Sequence, residues 1–445
     1  MKTLLSLSFP LIISQLVAQL LVLTDVWLMS RLSIEELAAG GLGASVYTFI
    51  FVIAGSVVGS VANLMAIAYG QKATRVEYGE EQIRRAVKGG VLLSFMFTLL
   101  LSGLFPFLPS MLALANQPAD IVELAMDYVS TLKWAMLPTL LLLVLRGLTS
   151  ALGDVRSIMV MSIVTVVLNV PISYILAFTL DLRLAGLGLG TAVAAFVVLG
   201  GYATWIFLKP RYRHYSPFNG FHEYQMSLIA PVLKLGVPIA LATMLEMGLI
   251  YGGTLMAGMI SVSALALHQI LLQCLSFTYN INFGFSQATA ILVGRSFGER
   301  DLDGIQALAK RAFITVSLLS LVLSGVFIVW PEIIVAIFEL DHAGSGMAEL
   351  LVSVLVVVAL CFVVDAWQLL ALNILRGMKI VFAPTGLTAI GYWIFGLPAA
   401  WMLKQSWGLA GIWAGIGIGL AVSGVLLLIL VVKALTPHRF ALRTI

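Results

Sequence analysis

Twelve stretches of this chain stay apolar for about twenty residues or more, roughly 5–29, 37–69, 89–108, 126–149, 156–179, 184–208, 234–260, 264–293, 311–331, 350–375, 381–403 and 408–432. A helix needs about 20 apolar residues to cross the hydrocarbon of a bilayer. Lipid offers nothing for backbone N–H and C=O groups to bond, so a spanning segment is a helix or a strand of a closed barrel. These runs lack the period-two alternation of barrel strands. The fold class expected is therefore an all-α polytopic membrane protein with twelve transmembrane helices. Composition agrees: only 10% of residues are charged and mean hydropathy is +1.06, against about 25% charged in soluble chains. The start, MKTLLSLSFPLIISQLVAQLLVL, begins like a signal peptide but stays apolar to Met29 without a small-residue cleavage site. It is expected to remain as the first helix. Cys274 and Cys361 both fall within spans and imply no disulfide.

Orientation follows from the basic residues. Of the 25 lysines and arginines, only Arg31, Lys133, Arg183 and Lys404 fall outside if the amino terminus is cytoplasmic. The rest cluster in connections such as Lys72–Lys88, Lys209–Arg213 and Arg295–Arg311. This asymmetry predicts an even number of spans with both termini inside.

The longest polar connection, Lys209–Ser227, lies at the midpoint and separates halves that resemble one another. LSFPLIISQ at Leu7 parallels LGVPIALAT at Leu235 and aligns Pro10 with Pro238. ELAAGGLG at Glu36 parallels ALALHQIL at Ala264, Gly70 parallels Gly294, and LAGLGLG at Leu184 parallels LAGIWAG at Leu409. The offset stays between 224 and 228 residues throughout, the mark of an internal duplication. The expected organisation is an N-terminal six-helix bundle over 1–208, a cytoplasmic linker over 209–233 and a C-terminal six-helix bundle over 234–445. Six spans return the chain to its starting side, so the repeats are parallel. A central cleft between them would suit alternating access.

Only three of the 21 acids fall within spans: Asp25, Glu246 and Asp365. A charge at membrane depth costs several kcal/mol unless paired, hydrated or protonated, which makes each a functional candidate. Glu246 lies twelve residues beyond Lys234, about 18 Å along a helix; Asp365 lies at a similar depth. No lysine or arginine is expected at that level, so the pair must hold a proton, share one or bind a cation. Both ions prefer oxygen donors, and Glu246 with Asp365 forms a candidate Na⁺ site. The bland alternative is permanent protonation inside a helix interface. Asp25 sits toward the outer end of the first span, with Arg31 as a rim partner.

Other polar residues form stripes. Gln269, Gln273, Ser276 and Asn280 share one helical face, Gln15 and Gln19 form a shorter stripe, and Asn169 precedes Pro171 by two residues. Each suits interhelical hydrogen bonding as well as ligand contact. There is no GxxxxGK[ST] phosphate loop and no HExxH, paired CxxC or Ser-centred nucleophile motif, so neither ATP hydrolysis nor enzyme chemistry is expected. His268 reads as structural rather than metal-binding.

Taken together, twelve spans in two parallel halves with acids in the first, seventh and tenth resemble the multidrug and toxic compound extrusion (MATE) transporters, most closely their NorM-like bacterial branch. The stretches VPIALATMLEMGLIYGG around Glu246 and DAWQLLALNILRGMK from Asp365 carry the likeness. So do AYGQ, LVGRSFGERD and the LRG triplets at Leu145 and Leu375. The resemblance implies antiport: export of cationic or amphiphilic drugs across the bacterial inner membrane against entering Na⁺ or H⁺. It implies ion or proton coupling at Asp25, Glu246 and Asp365. Substrate-cavity candidates are Gln15, Asn169, Tyr174, Gln269, Gln273, Asn280 and Tyr392. Two departures stand out. Ser173 occupies the place where the DinF-like branch has an acid, and Cys361 stands one turn before Asp365 where relatives offer a tyrosine.

The expected protein is a monomer in the lipid bilayer, with no cofactor beyond the coupling ion and no nucleic-acid partner. The alternatives are a lipid-linked oligosaccharide flippase of the same superfamily and, in a different class, a channel or other non-transporting membrane protein. A flippase would want basic residues deep in the membrane, and none is expected there.

Overall fold

The computed structural model describes residues 2–114, 117–337 and 346–444. The chain up to the midpoint forms α1 (Lys2–Ser30), α2 (Ile34–Gly59), α3 (Val61–Gln71), α4 (Val76–Ser102), α5 (Leu108–Leu114), α6 (Ala119–Leu132), α7 (Met136–Ala151), α8 (Val155–Tyr174), α9 (Arg183–Phe207) and the short α10 (Pro210–Arg213). Beyond it lie α11 (Ile229–Gly258), α12 (Val262–Glu299), α13 (Leu302–Val329), α14 (Glu332–Ile337), α15 (Met347–Gly377), α16 (Phe382–Ala389), α17 (Leu397–Ala434) and α18 (Pro437–Thr444).

Among the described residues, eleven helical stretches are long and apolar enough to span a membrane, the last running from Phe382 to Ala434. Gly408, at φ 56° and ψ −128°, breaks that stretch in two. The halves fold back on one another: a Cβ on Gly411 would overlap the Leu403 carbonyl, one on Gly415 the Ala400 backbone, and one on Gly419 would press on Gly396. That reversal yields the twelfth span. The aligned glycines of the first half do the same work, since a Cβ on Gly186 would lie 2.7 Å from Ala177 N and one on Gly190 would strike Ser173. Lipid gives helices no hydrophobic reason to associate, so close backbone packing at small residues holds such hairpins.

The helices also run further than their apolar cores. α4 starts at Val76 and α13 at Leu302, where hydropathy alone begins the spans at 89 and 311. Hydropathy marks the lipid slab, whereas the polar turns outside it remain helical. Their starts are capped as the sequence allows. The Ser33 and Ser261 hydroxyls, equivalent in the duplication, accept from Glu36 N and Ala264 N at 3.0 Å each.

The chain divides into two compact units, each with six spans. One is Ile13–Ala240; the other joins the chain up to Ile12 to everything from Leu241 onward. Both divisions fall inside a helix, two residues beyond the aligned Pro10 of α1 and Pro238 of α11. Proline removes one backbone hydrogen bond and crowds the preceding turn, so each helix is weakest where it passes from unit to unit. Within its own unit each exchanged end is closely packed: a Cβ on Gly284 would lie 2.7 Å from Ile12 Cα, and one on Gly236 2.7 Å from Val57 Cα.

The polar midpoint connection is pinned to the first unit. The Lys88 ammonium on α4, only 1% exposed, donates to the carbonyls of Asn219 and Gly220 and to Glu223 Oε2 at 2.8 Å. Arg84 Nε reaches the same carboxylate oxygen at 3.1 Å. Lys72 Nζ bonds Glu80 at 2.7 Å and the Tyr215 hydroxyl at 3.0 Å. Arg211 donates to the Leu152 carbonyl, and buried Tyr212 bonds Asp154, the cap of α8, at 3.4 Å. Gly220 takes a left-handed φ of 66° to turn its carbonyl toward Lys88.

Candidate functional site

In the second unit, four elements bring polar groups to one place. α11 supplies Glu246, α12 supplies Tyr279, α15 supplies Asp365, Gln368 and Arg376, and a π-helical turn at Ile390–Gly396 supplies Tyr392. Single π-turns recur at functional sites because they re-aim a side chain that a regular helix would point elsewhere. Glu246 interacts through space with Asp365 and with Arg376, and both tyrosines feel both carboxylates. Asp365 is 3% exposed. Its Oδ2 and the Gln368 Oε1 are buried without a hydrogen-bond partner, while Gln368 Nε2 donates to the Tyr392 hydroxyl. Trp393 Nε1 donates to the Leu245 carbonyl at 3.2 Å and its ring covers Gly248. That contact holds α11 against the turn beside Glu246.

Orphaned buried oxygens are costly, about 1–3 kcal/mol each for neutral groups and more for charged ones. Here the Asp365 carboxylate oxygen and the Gln368 amide oxygen lie near a second carboxylate, a donor set suited to a proton or a small hard cation. Arg376 corrects the expectation that no basic residue reaches the pair: it stands in the last turn of α15, outside the apolar core, yet faces Glu246.

The first unit has a smaller counterpart. Asp25 on α1 carries a buried Oδ1 without a hydrogen-bond partner. Tyr128 on α6 lies in its field and also feels Tyr47 on α2. Asn169 on α8 is 1% exposed and donates to Thr191 Oγ1 at 3.1 Å. Its own carbonyl oxygen and the Ser173 hydroxyl one turn later are buried without partners. Ser173 therefore occupies the expected acid position as a neutral group against Gly190.

The remaining sequence candidates are less concentrated. Gln15 is half-buried, and Tyr174 is half-exposed with its ring stacked 5.0 Å from Phe178. Gln269 and Gln273 stand on the exposed face of α12, whereas Asn280 turns its amide back to the Ser276 carbonyl at 2.8 Å. His268 is buried in packing: Nε2 lies 3.2 Å from Thr254 Oγ1 and the ring 5.3 Å from Trp413. Cys361 donates to the Trp413 carbonyl at 3.5 Å and remains a free thiol, as does Cys274.

Sequence reasoning missed Tyr47, Tyr128, Tyr279, Gln368 and Arg376. The tyrosines are single aromatics in apolar runs and look like packing. Arg376 had a signal, because the LRG triplet repeats in both halves with its arginine at a helix end.

Comparison with known proteins fits this geometry. The MatE family profile matches the chain twice, over residues 10–175 and 238–402, each match opening on one of the two aligned prolines. The chain belongs to the MatE family. It is similar to the probable multidrug resistance protein NorM of Pseudomonas aeruginosa, at 32% identity over 96% of this chain and 88% of that one. The protein of the same name from Pseudomonas putida is 31% identical over 96% of this chain and 93% of its own. Among solved structures, a MATE crystal structure in the bent conformation superposes with a TM-score of 0.89 at 18% identity, covering 100% of this chain and 96% of that one. This MatE chain thus shares the fold with that structure and the sequence pattern with the NorM proteins.

Proposed function

We propose that this MatE protein is a secondary active exporter of cationic or amphiphilic compounds, driven by Na⁺ or H⁺ entering through the carboxylates of Glu246 and Asp365, with Asp25 as a second exchanging acid. The observation that carries the reading is the buried Asp365, whose Oδ2 has no hydrogen-bond partner, beside the half-buried Glu246. Two acids so placed repel unless a proton or cation lies between them. An ion that settles there changes the charge of the unit and, with it, the affinity for a cationic substrate. Coupling is reciprocal, so the substrate weakens ion binding by the factor by which the ion weakens substrate binding.

The relatives' names support drug export, and the basic-residue asymmetry supports cytoplasmic termini in the inner membrane. The flippase alternative gains little from Arg376, because that guanidinium faces an acid that offsets its charge.

The test is ethidium efflux from proteoliposomes under an imposed Na⁺ or pH gradient, one at a time. Efflux driven by one gradient alone identifies the coupling ion. Asp25→Asn, Glu246→Gln and Asp365→Asn should each abolish or strongly reduce it at normal expression. Full efflux in all three variants would overturn the proposal.

A further inference from the structure

Arg146 on α7 is a half-buried arginine with few partners. A guanidinium carries five N–H donors and no acceptor. Among the described residues its side chain gives one hydrogen bond, from Nη2 to Ser14 Oγ on α1 at 3.4 Å, which is long for a charged donor. None of the ion pairs among the described residues includes it. The acid nearest in sequence, Asp154, is already engaged. It caps α8 through Ser157 N and accepts from Lys209 at 3.5 Å and from Tyr212 at 3.4 Å.

The groups beside it are donors as well. Ser14 Oγ lies 2.6 Å from Ser162 Oγ on α8, and both serines are buried. Whichever of the two donates, one hydroxyl proton of the pair is left without an acceptor among the described residues. A guanidinium and a spare hydroxyl thus converge from three helices in the geometry that holds an oxyanion. Ser162 stands seven residues into α8, about 10 Å from its start, so the place lies inside the span. Ser14 and Asp25 are eleven residues apart on α1, three turns along one face and about 16 Å along the axis. The first unit therefore presents a cluster of donors and an acid on the same side of one helix. The second unit repeats the arginine but not its surroundings: with Pro10 set on Pro238, Ser14 aligns with Ala242, which is buried and has no hydroxyl.

We propose that Arg146 is a specificity residue that holds the carboxylate of acidic or zwitterionic amphiphiles exported by this protein. The proposal rests on the export reading above and adds a substrate class to it. A carboxylate at this place takes two N–H groups of the guanidinium side by side and the spare serine proton. The cationic end of a zwitterion then points along α1 toward Asp25. One guanidinium beside neutral hydroxyls balances a single negative charge, which fits a carboxylate and not a polyanionic headgroup.

The experiment compares norfloxacin, which carries a carboxylate and an amine, with its methyl ester, which keeps only the amine. Binding of each to the purified full-length protein in maltoside detergent is titrated calorimetrically, and the ratio of the two affinities is the readout. A hydrogen bond involving a charged group contributes about tenfold to a hundredfold in affinity. Arg146→Gln should therefore lower the acid-to-ester ratio by at least about tenfold. Arg146→Lys should retain part of it, because an ammonium keeps the charge without the fork. Should the arginine variants fail to fold, Ser14→Ala combined with Ser162→Ala removes the hydroxyl donors and should lower the ratio by about threefold. A ratio unchanged in folded variants at these positions overturns the proposal and leaves the export reading standing. A wild-type ratio that collapses in nanodiscs containing phosphatidylglycerol also overturns it, because the guanidinium then belongs to a lipid phosphate. If neither compound binds and ethidium is not exported, the export reading fails and the proposal with it.

Discussion

Replacing Lys88 by methionine should unfasten the connection between the two halves. The ammonium is buried and gives hydrogen bonds to two backbone carbonyls and to Glu223. Hydrogen bonds involving a charged group contribute about 1.5–3 kcal/mol each. The Glu223 side chain is about a third exposed, so its share is small after solvent screening. Against the loss stands the desolvation of the ammonium, which methionine, of similar volume, does not incur. The net local destabilisation should be about 2–3 kcal/mol, or roughly 30- to 150-fold in the population of the detached connection. Trypsin reports that population when opening is fast relative to cleavage. Its sites Arg211 and Arg213 lie in the connection, and Arg211 is tied to Leu152 in the closed form. In detergent-solubilised protein, Lys88→Met should therefore be cut there at least about thirtyfold faster, with cleavage elsewhere unchanged. Glu223→Gln should have a smaller effect, which shrinks in the Lys88→Met background to the share of Arg84, still 3.1 Å from the carboxylate. A Lys88→Met cleavage rate within about threefold of wild type would refute the reasoning, because desolvation would then cancel the bonds.

The same clamp has a pH signature. The Lys88 ammonium, then Arg84, holds the Glu223 carboxyl below its usual range. Its contribution is complete above the ordinary glutamate pKa of about 4.3 and is lost only as pH falls through the lower folded value. Hydrogen exchange of the connection, corrected for intrinsic rates, should stay protected below pH 4.3 in wild type, and Glu223→Gln should abolish this dependence. Gly415→Ala should destabilise the last hairpin by about 1–3 kcal/mol through overpacking against Ala400. Gly200→Ala, where the added methyl meets nothing within 4 Å, should be neutral or slightly stabilising through helix propensity; detergent thermal unfolding separates the two. Arg183, at φ 49°, grips the buried Glu36 carboxylate with two bonds of 2.9 and 2.6 Å. Arg183→Ala should lower thermal stability, and Arg183→Lys should restore only part of it because lysine lacks the two-pronged geometry.

The twelve spans, the duplication and the three intramembrane acids were legible because each is written in one-dimensional order: run length, offset and a charge where none belongs. Side-chain reach was not. Arg376 belongs to the polar end of a span by sequence, yet a long side chain on the same helical face as Asp365 reaches the field of Glu246. Tyr128 on α6 is separated from Asp25 on α1 by four helices, and only packing brings the two together. The reversal at Gly408 was legible as a span boundary. The π-turn that presents Tyr392 was not, because nothing in IGYWIFG distinguishes it from ordinary helix. Its cause is visible only in the packing, where Gly391 and Gly396 meet Gly419 and Ser423.

The duplication also explains why the two units carry acids at different depths. With Pro10 set on Pro238, Glu246 aligns with Ala18, and Asp25 aligns with Gly253. The two acids therefore stand seven residues apart in the common frame, which is two turns on the same helical face and about 10 Å in depth. The second unit closes the position of Asp25. A Cβ at Gly253 would already lie 2.9 Å from Ile416 and 3.5 Å from His268, so the second unit has no room for a carboxylate at the outer level. The partner acid is also one-sided: with the LRG triplets aligned, Asp365 matches Ala135, which is buried in the apolar core of the first unit. A lone Asp25 among tyrosines can exchange a proton but offers a metal cation a single carboxylate. The Glu246–Asp365 pair offers two carboxylates, with Gln368 beside Asp365. If one unit discriminates Na⁺ from H⁺, the donor count assigns that task to the second, and purified Asp25→Asn protein, although impaired in efflux, should bind Na⁺ with the affinity of wild type.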